Sequence, residues 1–349
     1  MRIGVLTGGG DCAGLNAAIL GVAKRAWSLQ DEVYGIGRGW AGLMGEGEVY
    51  PLGKENVVGI ITQSGTILRT SRTNPAKIEG GFDQALATLK RNGIGGLVAI
   101  GGDDTLGVSA KLAERGFNVV GVPKTIDNDL PCTDFCIGFD TAANVVAEEI
   151  YRLQTTARSH GRILVVEVMG REAGWLSIVG GTAGGADFIA IPEVPVHIDE
   201  LIARAEQCGK TQGFGVMAIA EGAEVDGLES PTDEQGAVDA FGHVRLADRG
   251  VAQQIAEEIE QRTGIETRFA VLGHVQRGGT PTVHDRYVSM LLGAAAVDYL
   301  HRGLGGNMTA YKGQEIVPVP LAEVAGKNSL VTPEIYETVS RFFRTTPAS

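Results

Sequence analysis

Short apolar runs alternate with stretches of helical period along most of this chain. The runs at 2–6, 97–100, 118–122, 163–168, 188–191, 215–220 and 268–272 carry few polar interruptions, the pattern of strands buried on both faces of a parallel sheet. Helical patterns occupy 15–27, 106–115, 141–157, 174–185, 198–208, 246–263 and 283–302. Strand–helix alternation of this kind predicts a doubly wound α/β protein with mainly parallel sheets and right-handed crossovers. A polar stretch at 223–243 reads as a surface loop, and 333–343 as one amphipathic helix with a packing or interface role.

At 349 residues the chain exceeds the usual size of a single core, so two Rossmann-like domains are expected. The pattern breaks at Gly138-Phe139-Asp140-Thr141. The expected bounds are 1–138 with about 276–325 for one domain, 139–275 for the other, and 326–349 for a helical tail. Lys plus Arg number 30 against 42 Asp plus Glu, a net charge of -12, which argues against nucleic acid or an anionic membrane as a general partner. The chain has neither an apolar stretch of ~18 residues nor a signal-peptide pattern, so a cytoplasmic protein is expected. Cys12, Cys132, Cys136 and Cys208 are too few for a disulfide framework and read as structural thiols, not zinc ligands. Glycine is the outlier at 51 residues, concentrated in loops after strands, where backbone turns tightly or meets phosphate.

Two acidic loops carry the candidate chemistry: Gly101-Gly102-Asp103-Asp104-Thr105 and Pro123-Lys124-Thr125-Ile126-Asp127-Asn128-Asp129. Each follows a predicted strand, and ligands of open α/β sheets bind at the carboxyl ends of strands. Crowded carboxylates repel one another, and a divalent metal carrying phosphate relieves that repulsion. Phosphoryl transfer is the chemistry this suggests. Thr7-Gly8-Gly9-Gly10-Asp11-Cys12-Ala13-Gly14, between a strand and a helix, adds backbone N–H groups suited to an anion. It lacks the Lys-Ser/Thr ending of the common nucleotide P-loop, so a plain strand–helix turn is its other reading.

Together with Arg72, the run Met169-Gly170-Arg171, Glu221-Gly222 and His274-Val275-Gln276-Arg277-Gly278-Gly279, these loops resemble the phosphofructokinase family, in order, over roughly 2 to 300. The resemblance implies that a magnesium-bound polyphosphate phosphorylates the 1-hydroxyl of fructose 6-phosphate, with Mg2+ as cofactor. It makes Asp127 the base, Thr125 a hydrogen-bond donor to the moving phosphoryl group, and Asp103 and Asp129 the magnesium-side carboxylates. A carboxylate suits the first role because a sugar hydroxyl must lose its proton as it attacks. Gly9, Gly10, Gly102, Asp103, Asp104, Thr105, Arg72 and Lys124 are the implied donor-binding set. Arg72 and Arg171 contact the transferring phosphoryl group, Arg162, Arg268, His274 and Arg277 hold the sugar 6-phosphate, and Met169, Gly170 and Glu221 line the sugar. Relatives draw the matches to Arg162 and Arg268 from a neighbouring subunit, which implies a homodimer or homotetramer with shared sites.

The donor turns on two positions. ATP-using members of the family carry glycine where this chain has Asp104 and Lys124. A carboxylate ~4 Å from an ATP α-phosphate costs on the order of 4 kcal/mol at an effective dielectric near 20, roughly a thousandfold in binding. Lys124 puts a compact positive charge beside the reacting phosphates. The pair resembles the pyrophosphate-using members, with ATP as the alternative donor. The plain structural readings are a helix N-cap for Asp104 and a solvated loop cation for Lys124. A non-catalytic sugar-phosphate sensor and an NAD-type kinase are the other readings; the first does not need Asp127 and Arg171, and the second leaves 123–129 and 274–279 unexplained.

Overall fold

The computed structural model describes residues 1–228 and 250–343. The strands are β1 (Arg2–Thr7), β2 (Glu32–Ile36), β3 (Val49–Pro51), β4 (Gly96–Gly101), β5 (Val119–Pro123), β6 (Ile163–Val168), β7 (Phe188–Ala190), β8 (Val196–His197), β9 (Gly215–Ala220), β10 (Val225–Asp226), β11 (Thr267–Val271), β12 (Asn307–Lys312) and β13 (Glu315–Pro320). The helices are α1 (Leu15–Ser28), α2 (Trp40–Leu43), α3 (Gly81–Arg91), α4 (Asp103–Glu114), α5 (Phe139–His160), α6 (Trp175–Ala183), α7 (Ile198–Thr211), α8 (Val251–Thr263), α9 (Val283–His301), α10 (Leu321–Val324) and α11 (Pro333–Ser340).

The chain divides into two compact units, Met1–Thr141 with Arg277–Ser329, and Ala142–Gln276 with the chain from Leu330 on. Of the expected tail, 326–329 therefore belongs to the first unit and the described residues 330–343 to the second.

Unit 1 holds a sheet in the order β13-β12-β5-β4-β1-β2-β3. Its centre is parallel and only its margins, β2 with β3 and β12 with β13, are antiparallel. Every residue of β4 and β5 is buried, which accounts for their unbroken apolar character. The chain leaves β1 for β2 on one side and returns to β4 on the other, so the order reverses between β1 and β4. That reversal opens a crevice outside the carboxyl ends of the strands. α1 and α9 close one face of the sheet at short range: a Cβ on Gly21 would lie 2.3 Å from the Met290 carbonyl oxygen, and one on Gly293 2.3 Å from that of Ala18. On the opposite face Leu106 of α4, Met308 of β12 and Leu321 and Val324 of α10 share one buried cluster.

Unit 2 is built on a parallel sheet in the order β11-β6-β9-β7. Its order reverses between β6 and β11, again at the carboxyl ends. β8 and β10 form a separate two-stranded sheet, so part of the stretch expected as loop from 223 is strand. Residues 229–243 of that stretch, and the expected helix start at 246–249, lie outside the described residues. α11 ends at Ser340, with Tyr336 donating from its hydroxyl to the Ile189 carbonyl at 2.8 Å. Among the described residues no helix is long and apolar enough to cross a membrane.

Candidate active site

The carboxyl ends of three adjacent strands of unit 1, β5, β4 and β1, deliver the acidic and glycine loops side by side. Gly8 donates its N–H to the Ile100 carbonyl at 2.9 Å. Thr105 is wedged between the loops, 3% exposed, and a Cβ on either Gly8 or Gly101 would lie 2.4 Å from its Oγ1. Glycine at both positions is what lets the strand ends close on this threonine. Thr105, expected to bind donor, lies buried between the two loops.

α4 starts earlier than its apolar period suggests. Gly102 is the N-cap, and Asp103 and Asp104 occupy the first turn, so the N-cap reading of Asp104 is corrected. Both aspartates are exposed. Their carboxylates sit where the helix dipole favours negative charge, at a position that would otherwise attract a phosphate. Asp103 Oδ1 accepts the Gly326 N–H at 2.6 Å.

The loop after β5 is held by its own polar residues. Asp127 donates its N–H to Thr125 Oγ1 at 3.2 Å, Asn128 takes a left-handed φ of 51°, and Asn128 Oδ1 accepts the Cys136 N–H at 2.8 Å. Asparagine tolerates that conformation better than most residues, and its bond to Cys136 closes the loop that carries Asp127 and Asp129. Both aspartates are partly exposed.

Lys124 is 4% exposed and donates from Nζ to the Gly10 carbonyl, which corrects the reading of a solvated loop cation. Burial pulls its pKa below the ordinary lysine value, while Asp11 and Asp127 oppose that fall and Arg277 adds to it. Neighbouring Cys12 is also buried, its pKa pushed up to about 12 by burial, so it stays a neutral thiol. Arg277 packs against the same loop, with Nη1 donating to the Asp11 carbonyl at 3.2 Å. The segment before Arg72 runs along it as well: Gly9 N–H donates to the Ser71 carbonyl at 3.2 Å and Thr70 Oγ1 to the Gly9 carbonyl at 2.6 Å. Arg72 itself is exposed. The structure thus gathers Gly9, Gly10, Arg72, Gly102, Asp103, Asp104, Lys124, Thr125, Asp127, Asp129 and Arg277 on the strand ends and loops of unit 1.

Among the described residues no group of three or more His, Cys, Asp or Glu side chains could by itself hold a metal. Asp103 and Asp129 supply hard oxygen donors, which fits an ion such as Mg2+ that keeps several waters and takes other ligands from phosphate.

In unit 2, Met169, Gly170 and Arg171 follow β6, and Glu221 follows β9. Glu221 N–H donates to the Val168 carbonyl at 2.8 Å, Gly222 N–H to the Gly170 carbonyl at 3.1 Å, and Arg171 Nε lies 3.8 Å from Glu221 Oε1. Buried Gln276, quoted in a motif but given no role by the sequence reading, joins this end of the sheet together. Its Oε1 accepts the Met169 N–H at 3.2 Å and its Nε2 donates to the Gly273 carbonyl at 3.0 Å, anchoring the turn that bears His274. Glu167, one strand position inward, is buried; burial raises its pKa and Glu221 adds to the rise.

Arg162 and Arg268 meet at one acid, with Arg162 Nη1 3.3 Å and Arg268 Nη2 3.1 Å from Glu266 Oε1. Glu260 also pairs with Arg268 at 3.1 Å. Of the four residues expected around the sugar 6-phosphate, Arg162, Arg268 and His274 belong to unit 2 and Arg277 to unit 1.

A family model described as Phosphofructokinase matches residues 2–300. The chain is 49% identical over 344 residues to a Dictyoglomus thermophilum protein named pyrophosphate–fructose 6-phosphate 1-phosphotransferase, covering 98% of this chain and 99% of that one. It is 46% identical over 325 residues to ATP-dependent 6-phosphofructokinase 3 of Streptomyces coelicolor, covering 93% of this chain and 94% of that one. In fold it is similar to a crystal structure of pyrophosphate-dependent phosphofructokinase from Marinobacter aquaeolei, with a TM-score of 0.81 and 24% identity over 99% of this chain and 92% of the other.

Proposed function

This chain belongs to the phosphofructokinase family, and we propose that it transfers a phosphoryl group from pyrophosphate to the 1-hydroxyl of fructose 6-phosphate, reversibly, giving fructose 1,6-bisphosphate. The observation that carries the choice of donor is the pairing of exposed Asp104 in the first turn of α4 with buried Lys124 beneath the glycine loop. A nucleotide α-phosphate brought to that helix start would meet the Asp104 carboxylate, a repulsion that pyrophosphate, which has no such third phosphate, avoids. The relative named for pyrophosphate, at 49% identity, supports the same choice.

In this reading Asp127 accepts the proton of the sugar 1-hydroxyl as phosphorus–oxygen bond formation begins, and Thr125 hydrogen-bonds the moving group. Arg72 and Arg171 offset its developing charge, for which a planar guanidinium fork is suited. Lys124 acts through the backbone it holds as well as through its charge: its bond to Gly10 keeps the glycine-loop N–H groups oriented for phosphate oxygens. Asp103 and Asp129 would hold Mg2+, which supplies charge neutralisation to the polyphosphate. Met169, Gly170 and Glu221 bind the sugar, and Arg162, Arg268, His274 and Arg277 its 6-phosphate. Arg162 and Arg268 serve the site of a neighbouring copy in a homodimer or homotetramer, exchanging Glu266 for phosphate.

A second reading, with ATP as donor, is favoured by the relative named as ATP-dependent at 46% identity. Fructose 1,6-bisphosphate formation from fructose 6-phosphate and Mg2+ with pyrophosphate, and separately with ATP, tests the choice. Faster turnover with pyrophosphate is expected, and a preference for ATP overturns the donor assignment.

A further inference from the structure

The chain beyond β13 returns to the donor loops. α10 packs on α4 by burying Leu321 and Val324 beside Leu106. The residues after it then touch both acidic loops through backbone. Gly326, at a φ of 73°, donates its N–H to Asp103 Oδ1 at 2.6 Å, and three residues on Ser329 donates its N–H to the Asp129 carbonyl at 2.6 Å. Lys327 and Asn328 lie between these two anchors, and both are exposed. A strap pinned at each end to an aspartate of the donor loops therefore carries an exposed ammonium between them.

We propose that Gly326–Ser329 is a wall of the donor site and that Lys327 binds the donor's phosphate oxygens. The inference rests on the donor site proposed above. Charge supports it. The loops that the strap joins carry Asp103, Asp104, Asp127 and Asp129, whose repulsion of an added polyphosphate a further cation beside Lys124 and Arg72 would ease. A lysine is suited to this place because its point charge on a flexible stem follows a phosphate without demanding one geometry. The Gly326 N–H holds one oxygen of Asp103, so the strap also bears on the position of the carboxylate assigned to magnesium. Left-handed backbone at Gly326 makes that contact possible, since few residues with a side chain adopt it without strain.

The test is steady-state kinetics and calorimetric binding of magnesium pyrophosphate for the parent, Lys327→Gln, Lys327→Arg and, as a charge control on the same unit, Lys312→Gln. Loss of one charge-assisted contact is expected to raise the KM and the Kd for pyrophosphate about tenfold or more in Lys327→Gln. The KM for fructose 6-phosphate stays within about twofold, Lys327→Arg recovers most of the loss, and Lys312→Gln changes nothing beyond ~twofold. An unchanged donor KM and Kd in Lys327→Gln, or an equal effect from Lys312→Gln, overturns the proposal. If the parent prefers ATP, the pyrophosphate reading fails but the strap is judged by the same variants on the KM for ATP. If neither donor is turned over, the binding arm alone decides.

Discussion

Lys124 and Gly10 join two loops that come from strands on either side of β4: the buried ammonium of one donates to a carbonyl of the other. A charge in that place is costly to bury and is kept only if it is needed. Replacing Lys124 by Gly is expected to lower kcat with pyrophosphate by about ten- to a thousandfold. Replacing Asp104 by Gly is expected to strengthen ATP binding first, and the double variant to favour ATP. Kinetics of all four proteins with both donors measures this, and an Asp104→Gly variant with unaltered ATP affinity sinks it.

Lys124 also sets a pH dependence. Its pKa lies below the ordinary lysine value because of burial, so the ammonium deprotonates earlier on the alkaline side than an exposed lysine would. The rate with pyrophosphate should decline over that range as pH rises. In Lys124→Arg, whose guanidinium keeps its proton, the alkaline decline should move to higher pH; profiles that coincide would remove Lys124 from the titration.

For Asp127, substitution by serine is expected to lower kcat about a hundredfold or more with little change in the KM for fructose 6-phosphate, because a general base acts in the transition state. An undiminished kcat excludes it as base.

Mixed oligomers address the sharing of sites. Arg162→Ala and Asp127→Ser chains, each inactive alone, should recover some activity when combined, since one interface then holds both intact groups. No recovery in oligomers shown to be mixed argues for sites within single chains.

Asp285, fully buried at the start of α9, accepts the N–H groups of Gly138 and Thr141 at 2.8 Å each and the Thr141 hydroxyl at 2.5 Å. It ties the first turn of α5 to the first turn of α9. An asparagine there turns an NH2 toward a backbone N–H, so Asp285→Asn is expected to cost about 1–3 kcal/mol in denaturant unfolding. Burial raises the Asp285 pKa above 3.8. The native state then holds the proton more tightly than the unfolded chain. Its contribution is fully present below 3.8 and lost as pH rises through the native value. The variant should show a flatter stability profile across that window.

The strands buried on both faces were legible because a continuous apolar run has few other uses: β1, β4, β5, β6 and β9 fall where the pattern puts them. β2, β12 and β13 were missed. Glu32, Tyr34, Lys312 and Glu315 break their runs because these strands lie toward the sheet margins, where these positions are not buried. The apolar period of α4 begins only at Leu106, since Asp103 and Asp104 interrupt it although they suit a first helical turn. The site motifs on unit 1 were readable as loops after strands. The burial of Lys124 was not, because it depends on a carbonyl at Gly10, far away in sequence. Nor did residues 326–329 carry any local signal, as they approach the donor loops through backbone N–H groups, which every non-proline residue has.

Unit 1 is assembled from two segments separated by the 142–276 stretch of unit 2. A nascent chain leaving the ribosome thus exposes β5 and its acidic loop well before β12 and Asp285 have been synthesised. Until then β5 has β4 on one side and an open, wholly apolar edge on the other, the kind of surface that other chains pair with. A premature stop between 277 and 306, before β12 is made, therefore produces an aggregation-prone fragment, not a shortened enzyme.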